Sequence, residues 1–168
     1  MAIETRNPAT EEVLERFDPL TDEGIDKALN TAARAFQHFR RTEIADRARW
    51  MNNAADILED EVNEWATLLT TEMGKTLSAA IAEVKKSAQG CRYYATHGEQ
   101  LLANEPLASN GTNNFVRHLP LGPVLAVMPW NFPFWQVFRF AAPALIAGNV
   151  GLLKHASNVP RSALAIQN

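Results

Sequence analysis

Cysteine occurs once in the 168 residues, at Cys91. A single thiol excludes an intramolecular disulfide framework, and such sparing use fits a reducing compartment, so a cytoplasmic setting is expected. Neither a Gly-x-Gly-x-x-Gly nor a Walker sequence is present, which removes the two common phosphate-cradling loops. The four histidines, His38, His97, His118 and His155, share no metal-ligand spacing, so no metal is expected. The longest apolar-rich stretch, Phe132 to Ala147, is interrupted by Gln136, Arg139 and two prolines. It is too short and too polar to span a bilayer. The start, Met-Ala-Ile-Glu-Thr-Arg, carries no apolar signal core, so Asn110-Gly111-Thr112 reads as a turn and not as a glycosylation acceptor. The formal net charge of -3 gives no attraction to nucleic acid or to an anionic membrane, and neither is expected as a partner.

What is present is an ordinary globular composition, with 46% apolar and 21% charged residues, long enough for one domain with a real core. Asn7-Pro8-Ala9-Thr10 is a turn sequence, and Val13 to Phe17 reads as an edge strand. Thr21 caps a helix whose apolar positions Ile25, Ala28, Leu29, Ala32, Ala35, Phe36 and Phe39 recur at helical spacing. Thr42 is expected to cap a second helix with Ala48, Met51, Ala55 and Leu58 inward. A third helix runs from about Glu61 to Met73 and stops at Gly74, a left-handed C′ residue. A fourth starts near Thr76, with Leu77, Ala80, Ile81, Val84, Ala88, Cys91 and Tyr94 on one face. Gly98 to Thr112 reads as irregular connection, and Asn114 to Leu121 as a strand.

The densest pattern follows. Val124 to Met128 is a short apolar run between Pro123 and Pro129, suited to a fully buried strand. Pro133 to Ala147 has the length of a crossover helix. Val150 to Lys154 is a second strand, opened by Gly148-Asn149. Parallel strands joined by a helix form a βαβ unit, whose ligands sit at the carboxyl ends of the strands. Pro160 then opens a last helix at its N1 position. The pattern stops before a doubly wound sheet is complete, so the sequence reads as the front of a larger protein.

Four residues of this region carry candidate chemistry. Asn131, at the end of the first strand, is read as the cap of the crossover helix, as an amide donor to a developing oxyanion, or as both, since the two roles can coexist. Lys154, at the end of the second, either extends to solvent or meets a phosphate or ribose hydroxyl. Ser157 either caps the last helix or contacts the same ligand. Arg139 lies two helical turns beyond Asn131, as a salt bridge, a surface position or a clamp for a substrate carboxylate. Cys91, on an apolar helix face, reads as a small core hydrophobe, since Arg92 points elsewhere by helical geometry.

Pro120-Leu121-Gly122-Pro123-Val124, Pro129-Trp130-Asn131-Phe132-Pro133, Ala142-Pro143-Ala144-Leu145, Ala147-Gly148-Asn149 and Leu153-Lys154 together resemble the aldehyde dehydrogenase superfamily. Glu72-Met73-Gly74-Lys75 and Asn7-Pro8-Ala9-Thr10 are similar to that family too. Phe134 to Arg139 and Lys154-His155-Ala156 look most like its bacterial succinate-semialdehyde dehydrogenases. The resemblance covers essentially the whole chain. It implies an α/β fold of the aldehyde dehydrogenase kind, with N-terminal helices followed by the first βαβ of a parallel, Rossmann-type cofactor sheet, truncated.

By that resemblance Asn131 is the oxyanion-hole amide. Met128, Pro129 and Trp130 lie against the cofactor, which is NAD or NADP. Lys154 binds the adenosine ribose or its phosphate. Ser157 stands where the family often has a glutamate, so repulsion of a 2′-phosphate is relieved and NADP is tolerated or preferred. Arg139 matches the arginine that binds the substrate carboxylate in succinate-semialdehyde members. Residues 1–168 are then an incomplete N-terminal NAD(P)-binding domain, with 114–121 in the strand extension through which family subunits associate as homo-oligomers. The catalytic domain, with its cysteine and general-base glutamate, lies beyond Asn168. The expected reaction is oxidation of succinate semialdehyde to succinate, with no activity in residues 1–168 alone. The alternatives are another aldehyde dehydrogenase subfamily or a non-enzymatic fragment.

Overall fold

Two strands, β1 (Ile3–Arg6) and β2 (Val13–Phe17), pair antiparallel at the start of the chain. The computed structural model describes residues 3–108 and 111–167, so Asn110 of the expected turn and Asn168 lie outside the described residues. The β1–β2 turn closes as its sequence suggests: the Asn7 side-chain oxygen accepts from the Ala9 N–H at 2.9 Å, and its carbonyl accepts from the Glu11 N–H at 2.8 Å.

Helices follow. α1 (Asp22–Phe39) is capped by Thr21, whose hydroxyl accepts from the Gly24 N–H at 3.1 Å. α2 (Ile44–Asp60) begins one residue later than expected. Glu43 takes the N-cap position, and Thr42 closes α1 instead, donating its hydroxyl to the Phe39 carbonyl at 2.7 Å. α3 (Val62–Met73) ends at Gly74 with φ of 87°. Only glycine suits that position twice over, because a Cβ there sits 2.5 Å from Pro8 Cγ as well as in left-handed backbone. α4 (Leu77–Leu101), capped by Thr76, is longer than the sequence suggests. Gly98 does not end it. It lets α5 (Trp135–Ile146) approach, since a Cβ at Gly98 meets Ile146 Cγ2 at 2.3 Å.

The core lies between helices. Met51, Ala55 and Leu58 of α2, Ala66 and Leu69 of α3, Ala80, Val84, Ala88 and Cys91 of α4, and Ala142 and Ile146 of α5 form one buried cluster with Phe134. These are the inward positions that the 3.6-residue period selects.

The strand expected over Asn114–Leu121 shrinks to β4 (Phe115–Val116), paired antiparallel with β3 (Glu105–Pro106) inside the stretch read as irregular. Leu119 and Leu121 are exposed, and Pro120 offers no N–H for a longer ladder. β5 (Pro123–Val127) and β6 (Val150–Lys154) pair in parallel, from Pro123 opposite Val150 to Val127 opposite Lys154. α5 is their crossover. α6 (Pro160–Gln167) opens at Pro160. β5 is not the fully buried strand that its composition suggests: Leu125 is 64% and Val127 65% exposed. Among the described residues β6 is its one strand neighbour, so much of its apolar surface is uncovered.

Candidate active site

The parallel register sets Val127 opposite Lys154, so both strands end together. The next rung continues the pairing, with the Met128 N–H donating to the Lys154 carbonyl at 3.1 Å. The opposite end of the unit is tied by Asn149. Its side-chain oxygen accepts from the Leu121 and Gly122 amides at 2.7 and 3.1 Å, which fixes the start of β5 against the start of β6.

From β5 the chain passes Met128-Pro129-Trp130-Asn131 into α5, and from β6 it passes His155-Ala156-Ser157 into α6. Met128 is half-buried. Pro129, Trp130, Asn131, Lys154 and Ser157 are exposed. His155 joins the two loops from a buried position. Its Nδ1 accepts from the Ala156 N–H at 2.8 Å, which places the ring proton on Nε2, and Nε2 donates to the Pro133 carbonyl at 2.8 Å.

Asn131 is not the cap of α5, and Ser157 is not the cap of α6. Both caps come from remote carboxylates. Glu83 of α4, with its side chain 1% exposed, accepts from the Phe134 and Trp135 amides at 2.9 and 3.1 Å. Glu72 of α3, also buried, accepts from the Arg161 and Ser162 amides at 2.8 and 2.7 Å and from the Ser162 hydroxyl at 2.6 Å. Each carboxylate also meets the positive end of a helix dipole. Glu83 is further paired with the Lys75 ammonium, which donates to the Asn131 carbonyl at 3.3 Å and lies 4.3 Å from the centre of the Phe132 ring.

Sequence reasoning missed both glutamates, since each acts across 51 to 90 residues of chain. One local sign was available. The residues just before these helices, Phe134 and Val159, carry no side-chain acceptor, so any cap has to come from elsewhere.

Arg139 is exposed on α5, and no carboxylate pairs with it among the described residues. Of the predicted residues only Ser157 borders the large groove of about 710 Å³, whose walls include Phe17, Val137, Phe140, Leu152 and Leu164. That groove is mostly apolar and reaches the loop after β6 at His155, Ala156 and Ser157. Cys91 is fully buried, and burial pushes its thiol up to about 12. Arg92 turns away to Asp56 and Glu59 of α2.

Open α/β sheets take their ligands outside the carboxyl ends of parallel strands, and here Lys154 ends β6 while Asn131 lies in the loop after β5. Residues 1–168 match the sequence model of the Aldehyde dehydrogenase family, and the chain belongs to that family. It is 55% identical over 166 residues to a probable NADP(+) succinate-semialdehyde dehydrogenase of Synechocystis sp., covering 99% of this chain and 37% of that protein. It is 55% identical over 167 residues to succinate-semialdehyde dehydrogenase NADP(+) 1 of Mycobacterium tuberculosis, covering 98% of this chain and 36% of that protein. Among solved structures, succinic semialdehyde dehydrogenase from Streptococcus pyogenes in complex with NADP+ superposes with a TM-score of 0.95 at 35% identity, over 99% of this chain and 37% of that one. The chain thus spans little more than a third of the length of these relatives.

Proposed function

We propose that residues 1–168 are the N-terminal part of an NADP-using aldehyde dehydrogenase that oxidises succinate semialdehyde to succinate, with Asn131 as its oxyanion donor. The observation that carries this reading is the Asn131 side chain itself, exposed in the loop after β5 and without a hydrogen bond among the described residues. An amide fixed in place before negative charge develops on the carbonyl oxygen stabilises the transition state without reorganising.

The residues present suit a phosphorylated dinucleotide. Lys154 ends β6 and Ser157 follows in the loop after it, both exposed, so a 2′-phosphate there meets a cation and a hydroxyl with no carboxylate at position 157. Met128, Pro129 and Trp130 supply the surface beside it. When bound, the dinucleotide accepts the hydride from the aldehyde carbon. Arg139, exposed and without a carboxylate partner among the described residues, suits the distal carboxylate of the substrate. Cys91 is too buried and too weakly acidic to serve as nucleophile. The thiolate therefore comes from outside residues 1–168, and these residues alone are expected to be inactive. The exposed β3–β4 ribbon and the stretch to Leu121 are the proposed contact between subunits of a homo-oligomer, in the cytoplasm.

The test is steady-state kinetics of the whole enzyme carrying this chain, with succinate semialdehyde and NADP. Arg139→Ala is expected to raise KM for succinate semialdehyde by about 10- to 100-fold, while a short uncharged aldehyde is unaffected. Equal effects on both aldehydes would assign the chain to another aldehyde dehydrogenase subfamily.

A further inference from the structure

The Asn131 loop is gripped from beneath by a charged pair that belongs to neither strand of the crevice. Lys75 follows Gly74 in the turn between α3 and α4, and Glu83 lies two turns into α4. Their side chains are 9% and 1% exposed. The pair holds both ends of the segment 131–135. Lys75 donates to the Asn131 carbonyl, and Glu83 accepts from the Phe134 and Trp135 amides. Between these points His155 donates to the Pro133 carbonyl.

A buried ion pair is a poor device for stability alone, because apolar residues of similar volume often serve as well or better. Two features of this one are specific to position. The ammonium reaches the backbone of the very residue whose side chain is the proposed oxyanion donor. The carboxylate caps α5 from outside, at the Phe134 and Trp135 amides that close the same segment.

We propose that Glu83, acting with Lys75 through the backbone of residues 131–135, is the positioning residue for the Asn131 amide. This rests on the reading of Asn131 as the oxyanion donor. Neither Glu83 nor Lys75 is assigned any contact with substrate or cofactor. The loop carries four exposed residues, Pro129 to Phe132, and such a loop keeps a fixed backbone only if bonds like these hold it. In Glu83→Gln one amide oxygen still accepts from Phe134 and Trp135, but its NH2 group faces the Lys75 ammonium, donor against donor.

The experiment is a double-mutant cycle in the whole enzyme. Glu83→Gln is expected to lower kcat by about 10- to 100-fold, the scale of a misplaced catalytic group, with KM for NADP unchanged. In an Asn131→Ala background the same substitution is expected to change kcat by less than about twofold, because the group it positions is gone. Lys75→Met, which spares both Glu83 amide bonds, is expected to show the same dependence on Asn131 and serves if Glu83→Gln does not fold. An equal loss of kcat in both backgrounds, or no loss in either, overturns the proposal. Hydrogen exchange in the same proteins separates it from the reading beneath it. Glu83→Gln is expected to speed exchange of the Phe134 and Trp135 amides by about tenfold or more, leaving α2 unchanged. Unchanged exchange at those amides overturns the positioning claim. Faster exchange together with an Asn131→Ala enzyme of full activity supports the grip and overturns the oxyanion reading instead.

Discussion

The helical layer and the β5–β6 pair use the same apolar residue types to opposite ends. In the helices Ala55, Leu69, Val84 and Ala142 are completely enclosed, while on β5 Leu125 and Val127 are mostly exposed. The helices hold nearly all of the buried cluster, while most of the predicted site lies at the end of β6 and in the loops after β5 and β6, with Arg139 on α5. The difference shows where the energy and the chemistry reside. A rigid helical block supports two exposed strand ends, and it reaches them through buried side chains: Glu83 and Lys75 to the Asn131 loop, and Glu72 to the start of α6.

The largest contrast comes from a matched pair of truncations. Leu69→Ala opens a cavity in the closed layer and is expected to cost about 2–5 kcal/mol. Leu125→Ala removes a side chain already in solvent and is expected to cost less than about 0.5 kcal/mol. Guanidinium unfolding of residues 1–168 measures both, and similar losses would erase the distinction between the regions. A smaller effect is expected from Glu72→Ala, which leaves the Arg161 and Ser162 amides and the Ser162 hydroxyl without their acceptor, at about 1–3 kcal/mol for buried groups left unpaired. Its readout is the same unfolding curve, together with faster exchange at those two amides.

The smallest effect is a pH dependence from Cys91. Burial raises its thiol from an ordinary value of 9.0 to about 12. The folded form then holds its proton in a range where the unfolded chain has released it. The stability that this buried thiol contributes is complete below pH 9 and is lost as pH rises through 12. Comparison of the native chain with Cys91→Ala at about pH 8 and about pH 11 should show the gap narrowing at the higher value. A constant gap would place Cys91 nearer solvent than the helical layer allows.

The same division marks what could be read from the sequence. The helical period picked out the enclosed positions of α2 and α4, Thr21 and Thr76 marked two helix starts, and Gly74 marked a stop, because each of these acts within a turn of its own position. The crossover unit was legible for the same reason. Gly98 was misread as a break, since its meaning depends on Ile146 in a different helix. The extent of β3–β4 depends on a pairing that local propensity does not set. At the site, the sequence offered candidates such as Asn131 and Ser157 but not the groups that hold the loops around them. Asn131 and Ser157 each had a local capping alternative, and only the carboxylates of Glu83 and Glu72, far along the chain, show that those caps are already supplied.

Whether Asn131, in the exposed loop after β5, is an oxyanion donor is decided by Asn131→Ala in the whole enzyme. Steady-state oxidation of succinate semialdehyde with NADP should lose about 10²- to 10³-fold in kcat, with KM for both substrates little changed, the signature of an interaction made only in the transition state. An Asn131→Ala enzyme with undiminished kcat would show that Asn131 is not the oxyanion donor.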